Sequence, residues 1–343
     1  MKKQLKINQK NITLLATIIL FLLLYTFGSI QYTGFFREQV FFNLFIDNAY
    51  LIIVATGLSF VIITGGIDLS VGALVAFITM VAASLLEKGI NAYLIIVLLL
   101  IIGALFGFVQ GFLITQFNLH PWIVTLGGMF FARGSCYLIS TESIVISNKT
   151  LHTISKFKIK LWGGNFTSIS VIIALLVVAI FTYVSKYTKF GRNVYAVGGN
   201  EQSSLLMGLP VKKTKILVYT LSGFTSSLGG VVFALYMLSG YGLHCNGMEM
   251  DAIAACVVGG ILLTGGFGYV IGPLFGVLST GIIQTIVMFH GNLNSWWTKI
   301  AVGFLLFIFI VLQRVIVLQK QKNTVIVNVS KNKESLNQSS IAK

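Results

Sequence analysis

Charge is scarce in this chain. Only 10% of its 343 residues are Asp, Glu, Lys or Arg, against about 25% in an ordinary soluble domain. Hydrophobic residues make up 56% and spread from Ile12 to Leu318, leaving no half able to fold in water. A soluble globular protein is excluded, and the body reads as a helical bundle in a bilayer. Cysteine is scarce too: Cys136, Cys245 and Cys256 show no C-x-x-C spacing, which excludes a disulfide framework, redox motif or zinc site and leaves them as small packing residues. No Gly-Lys pair occurs, so the phosphate-cradling G-x-x-x-x-G-K-[ST] loop is missing. The histidines, His120, His152, His244 and His290, lie far apart, without H-E-x-x-H, and no G-x-S-x-G is present. Metal and nucleophile chemistry find no foothold, so the chain reads as no enzyme, with no catalytic residues and no cofactor or metal of its own.

What is present is a series of ten apolar stretches, each meeting or approaching the roughly 20 residues a helix needs to cross the hydrocarbon core. They lie near residues 12–30, 44–64, 70–87, 92–117, 121–140, 169–186, 216–240, 249–264, 270–290 and 297–318. The eighth is short and punctuated by glycine, as a broken or half-depth helix would be. The first follows Lys2, Lys3, Lys6 and Lys10 like a signal peptide, but it is too long and lacks a small-residue cleavage site, so it reads as an uncleaved span. Three regions emerge: a tail at 1–11, a transmembrane domain at 12–318 with a long loop at 186–215, and a polar tail at 319–343.

The net charge of +15 does not point to nucleic acid, because the basic residues sit in tails and loops. They act as topology signals. With the N-terminus inside, 16 Lys and Arg fall on the inner side and 6 on the outer, which favours both termini in the cytoplasm. Trp296 and Trp297 precede the last span where indoles anchor in the headgroup region, and stacking on a sugar ring is the other use open to them.

The chain resembles itself at an offset of 200. Ile53, Ala55, Thr64-Gly65-Gly66, Gly72 and Leu74 recur as Ile253, Ala255, Thr264-Gly265-Gly266, Gly272 and Leu274. Both copies run the same way through the membrane, so a parallel repeat with glycine-broken helices is expected. The glycines serve either close helix packing or breaks along a pathway. An ion-coupled carrier would hold carboxylates at mid-membrane, yet Asp47, Asp68, Glu249 and Asp251 all fall at or near span ends. Asp68 reads either as a cap for a helix beginning near Leu69 or as a gating or passage residue. Arg133 is open between a snorkelling or helix-paired residue and a ligand contact.

The loop at 186–215 carries the clearest local structure. Asn200 is a good N-cap, Glu201 puts negative charge at the positive end of a helix, Gly208 suits the position past its end, and Pro210 stops continuation. The short helix so defined exposes Leu205, Leu206 and Met207, which either fold back on the spans or mark a partner surface.

Several segments are familiar. V-I-I-T-G-G-I-D-L-S-V-G-A from Val61 and F-G-R-N-V-Y-A-V-G-G-N-E from Phe190 resemble the ribose-type permeases of bacterial ATP-binding-cassette (ABC) importers. P-W-I-V-T-L-G-G-M-F-F-A-R-G from Pro121, Y-L-I-S-T-E-S-I from Tyr137, M-D-A-I-A from Met250 and S-W-W-T-K-I-A from Ser295 narrow the resemblance to galactofuranose importer permeases, with fructose importers closely similar. It covers roughly residues 12–318. It implies a multi-pass permease in the bacterial cytoplasmic membrane, contacting lipid and pairing with a second similar permease, usually as a heterodimer. It also implies a cytoplasmic ATPase with two nucleotide-binding domains, where ATP and Mg are held, and an extracytoplasmic sugar-binding protein. The family's coupling helix falls on Asn200, Glu201, Leu205, Leu206, Met207 and Gly208; Ser203-Ser204 and Gly208-Leu209 depart from the commoner Ala-Ala and Gly-Ile. Gly65, Gly66, Asp68, Gly72, Gly265, Gly266 and Gly272 are the candidates for the path or its gate. The expected function is passage of a monosaccharide, a furanose such as galactofuranose. Residues 141–167, with Ile144, Val145, Ile146, Phe157 and Trp162, are a candidate lip toward the binding protein. The alternative is a self-sufficient secondary carrier or channel for a small polar solute; a membrane scaffold would move nothing.

Overall fold

The computed structural model describes residues 9–292, 294 and 296–311. The expected tail at 319–343 and the end of the tenth stretch lie outside the described residues. Helices α1 (Gln9–Gln31), α2 (Glu38–Ile63), α3 (Val71–Glu87), α4 (Ala92–Gln116) and α5 (Pro121–Ile139) come first. A small layer follows: strand β1 (Ile144–Val145), helix α6 (Lys149–Lys156), and strands β2 (Lys158–Lys160) and β3 (Phe166–Ser168). Then come α7 (Ile169–Tyr187), α8 (Lys189–Gly199), α9 (Glu201–Leu206), α10 (Val211–Met237), strand β4 (Ser239–Gly240), α11 (Met248–Val258) and α12 (Gly272–His290). A last apolar helix, α13, covers Trp296–Val311.

Seven of these helices (α1, α2, α4, α5, α7, α10 and α12) are long and apolar enough to cross a bilayer, and α3 and α13 are apolar but shorter. The chain is therefore an all-α, multi-span membrane protein. The eighth stretch departs from a full span. Its helix α11 has 11 residues, about 16 Å at 1.5 Å per residue, roughly half the hydrocarbon thickness. It stops because Gly260 adopts φ +89° and closes the helix end, with Gly260 N–H on the Val257 carbonyl and Ile261 N–H on that of Cys256.

Helix α2 is the axis of the bundle. Every residue at 51–63 is buried, as a helix apolar all round must be. By contrast Leu22, Leu23 and Phe27 on α1, and Phe130, Phe131 and Leu138 on α5, are exposed, which suits lipid. Helices α4 and α10 pack closest. Gly103, Gly107 and Gly111 form a four-residue ladder on α4, and a Cβ on Gly107 would sit 2.1 Å from the Tyr219 carbonyl oxygen. Lipid gives apolar side chains no reason to leave it, so this backbone-level approach is what binds the pair.

At the end of the bundle away from α8 and α9, β1 pairs with β4 and β2 with β3, both antiparallel. Of the residues expected to form a lip, Ile146 is buried, whereas Val145, Phe157 and Trp162 are exposed.

A paired substitution tests this packing. Gly107→Ala forces α4 away from α10 and should destabilise the detergent-solubilised protein by about 1–3 kcal/mol. Gly134→Ala, whose Cβ meets nothing within 4 Å, should leave the melting temperature unchanged or raise it. Equal melting curves for the two variants would contradict the packing.

Candidate functional site

Helix α2 ends as glycine lets helices end. Gly65 takes φ +80°, its N–H bonds the Ile62 carbonyl at 2.9 Å, and the Gly66 N–H bonds that of Val61 at 3.0 Å. The Ile63 carbonyl is left over. It accepts from the Gly266 N–H, 2.8 Å away, in the second Thr-Gly-Gly segment, where Gly265 and Gly266 also have positive φ. The two segments, 200 positions apart in sequence, thus close on one another. Backbone polar groups within a bilayer need partners inside the protein, and here the turn of the second segment supplies what the end of α2 lacks.

The end of α8 seals this joint. A Cβ on Gly198 would lie 1.7 Å from the Ile63 carbonyl oxygen and 2.6 Å from the Gly266 nitrogen, so only glycine fits. Tyr195 on the same helix donates its hydroxyl to the Gly268 carbonyl at 2.8 Å. Residues 186–215 therefore hold a second helix, which the sequence reading treats as loop. Its signal was the spacing of Phe190, Val194 and Val197, the last two fully buried.

Asp68 sits in the connection between α2 and α3, only 2% exposed. One carboxylate oxygen accepts from the Ser70 N–H at 2.9 Å and the Ser70 hydroxyl at 2.6 Å; the other accepts from the Ser222 hydroxyl at 2.7 Å. Gln110 Nε2 donates to Ser70 Oγ at 3.0 Å. The carboxylate thus holds the entry of α3 against α10 and, through Ser70, α4. Helix α3 begins at Val71, two residues later than its expected start, because Asp68 to Ser70 forms this turn. Sequence reasoning passed over Gln110, Ser222, Tyr195 and Gly198, whose roles depend on partners far away in the chain.

Helix α9 hangs from this joint. The Asn200 side chain accepts from the Ser203 N–H at 2.7 Å, and Gly208, at φ +75°, closes the other end with Leu209 N–H on the Ser204 carbonyl. Glu201 pairs with Lys215 of α10 at 2.6 Å. Leu205, Leu206 and Met207 are 64%, 88% and 68% exposed: they cover nothing in the chain itself. The Glu201–Lys215 pair borders two cavities. One, of about 330 Å³, reaches Thr64, Gly65, Gly66 and Tyr219; the other, of about 360 Å³, lies under Leu205.

Two candidate residues stand apart from the joint. Gly272 packs against the Gly259 backbone where α11 meets α12, and Gly72, on the first turn of α3, packs against Cys245 and Glu249. Arg133 is part of the scaffold of that second region. Its guanidinium donates to the carbonyls of Gly242 and His244, each at 2.6 Å, holding the segment between β4 and α11. Among the described residues no group of three His, Cys, Asp or Glu is placed to hold a metal ion.

The site is thus a joint between two glycine turns, sealed by α8, with an exposed apolar knob beside it. Residues 40–311 match the family described as branched-chain amino acid transport system / permease component. The chain is 45% identical over 307 residues to the inner membrane ABC transporter permease protein YjfF of Escherichia coli, covering 89% of this chain and 93% of that one. It is 39% identical over 322 residues to the fructose import permease protein FruG of Bifidobacterium longum, covering 92% and 94%. With the ribose import permease protein RbsC of Bacillus subtilis it shares 34% over 265 residues, covering 76% and 80%. No solved structure matches. The chain belongs to the permease-component family of ABC transporters, as a membrane subunit that is not itself an enzyme.

Proposed function

We propose that this chain is the membrane-spanning permease of an ABC importer for a monosaccharide, a furanose such as galactofuranose, in the bacterial cytoplasmic membrane. The observation that carries this reading is the pairing of an exposed apolar helix with a backbone joint. Leu205, Leu206 and Met207 offer a grip to a cytoplasmic ATPase, and Gly198 connects that grip to both Thr-Gly-Gly breaks. Fructose and ribose in the names of relatives support a monosaccharide. The motifs from Pro121, Tyr137, Met250 and Ser295 support the furanose.

In this reading Asn200, Glu201 and Gly208 shape the coupling helix. Gly65, Gly66, Asp68, Gly265 and Gly266 form the element that changes state, while Gly72 and Gly272 let neighbouring helices approach. ATP with Mg belongs to a partner ATPase with two nucleotide-binding domains. A second, similar permease completes the pathway as a heterodimer, and an extracytoplasmic binding protein delivers the sugar. The work enters as a population shift: the ATPase binds the inward- and outward-facing bundles unequally and so moves their balance. Ten membrane segments, α11 counting as one of half depth, put both termini in the cytoplasm. The positive φ shared by Gly65 and Gly265 supports a parallel repeat.

Two measurements test this. Leu206→Asp should weaken copurification of the ATPase by at least about tenfold, as for an interface hot spot, and abolish ATP-driven uptake while membrane insertion stays intact. Unchanged uptake would remove the coupling role, and accumulation by this chain alone on an ion gradient would establish a secondary carrier instead. Gly198→Ala should leave the ATPase attached but lower the sugar moved per ATP by about tenfold, a typical size for coupling between sites. Gly199→Ala, whose Cβ meets nothing within 4 Å, should transport normally. Equal coupling in the two variants would dismiss the joint as the transmitting element.

A further inference from the structure

Helix α9 has little to hold it. It is six residues long and buries Ser204 alone, whose hydroxyl is spent on the Asn200 carbonyl one turn back. Leu205, Leu206 and Met207 are exposed. Among the described residues, one side-chain bond ties α9 to a spanning helix: Lys215 Nζ donates to both carboxylate oxygens of Glu201, at 2.6 and 2.7 Å. That pair borders cavities of about 330 and 360 Å³, so the helix rests on the pair rather than on a packed interface.

With the Glu201 side chain 53% exposed, the pair adds little to stability. Its use is positional, and α10 shows what it positions. Lys215, Tyr219 and Ser222 are spaced four and three residues apart, which puts them on one helix face over about 10 Å. Each meets a different part of the molecule. Lys215 holds α9. Tyr219 stands against the first Thr-Gly-Gly turn: a Cβ on Gly66 would lie 2.5 Å from its hydroxyl oxygen, and that hydroxyl donates to the Ile67 carbonyl at 3.4 Å. Ser222 donates to Asp68, which sets the entry of α3.

This face is braced from behind. Gly107 and Gly111 bring α4 against the α10 backbone at Tyr219 and Ile216, which leaves no room for one helix to slide on the other. Coupling between separated sites is carried by stiff elements whose contacts are bonded or packed. The lower half of α10 is such an element, and its three contacts follow in the order α9, first turn, start of α3.

We infer that Lys215 is a positioning residue for coupling: through the face it shares with Tyr219 and Ser222, it ties α9 to the first Thr-Gly-Gly turn and to the start of α3. This is a second connection beside the one made by Gly198. It rests on the importer reading and adds to it a residue outside the coupling helix. Leu206 and its neighbours grip the ATPase, and Lys215 sets where that grip stands on the bundle.

The test uses the complete assembly, purified through a tag on this chain and reconstituted in vesicles. Tritiated galactose, fructose and ribose are each supplied with the purified binding protein. For the sugar that the wild type imports, Lys215→Met and Glu201→Gln should each keep the ATPase attached and move about fivefold less sugar per ATP hydrolysed, the scale of one ion pair. The two together should lose no more than either alone, within about twofold. Lys215→Arg, which keeps the charge, should recover most of the loss. Tyr219→Phe, joined to Lys215→Met, should add less than about twofold, because both act on one line of contacts. Wild-type coupling in Lys215→Met would overturn the inference. So would losses that multiply in either double variant, or an Arg variant as impaired as Met. Loss of the ATPase on purification would overturn it too, by placing the charges in the ATPase interface. A wild-type assembly importing none of the three sugars with ATP would count against the importer reading instead.

Discussion

A peptide group inside a bilayer has to find its partner within the protein, and this constraint shapes the centre of the molecule. Helix α2 ends at Thr64-Gly65-Gly66, and the irregular chain after α11 turns at Thr264-Gly265-Gly266, each leaving backbone groups without helical partners. The Ile63 carbonyl and the Gly266 N–H are completed by each other, 2.8 Å apart. That bond joins segments 200 residues apart in sequence into one part. Gly198 extends that part to α8, and α8 runs directly into the capped helix α9. Helix packing, the carboxylate of Asp68 and the exposed knob are all arranged about this joint.

The same constraint explains the far side of the bundle. The segment from β4 to α11 is irregular and turns inward, which is tolerated only where its carbonyls are satisfied, and Arg133 does this for two of them. The gain is a short helix, α11, whose first turn rests against Gly72 of α3. Both irregular regions meet α3, one at Asp68 and the other at Gly72. Helix α3 is thereby placed between the two irregular regions.

Much of this was legible in the sequence, and for local reasons. Apolar runs near 20 residues mark helices regardless of their neighbours. Asn200, Glu201, Gly208 and Pro210 define α9 because caps and stops act within one turn. What was hidden depends on distant partners. Nothing local says that Gly198 lies against Ile63, or that Asp68 is held by Ser222. Phe190, Val194 and Val197 do carry a helical spacing, but glycine and charge around them give the appearance of loop. Glu249 does fall at the start of its helix, as the eighth stretch places it; what no local pattern shows is that this helix start lies against Gly72 of α3.

The central claim is that α9 and the two breaks move as one body. Pulsed electron-spin distances between labels at Gln202 on α9 and Thr264 in the second break, measured in the assembled transporter without nucleotide and with ATP bound, test it most directly. The account predicts one unchanged distance in both states, while a label pair from Gln202 to Thr153 on α6 changes. A shift between Gln202 and Thr264, with the pair to Thr153 constant, would contradict it.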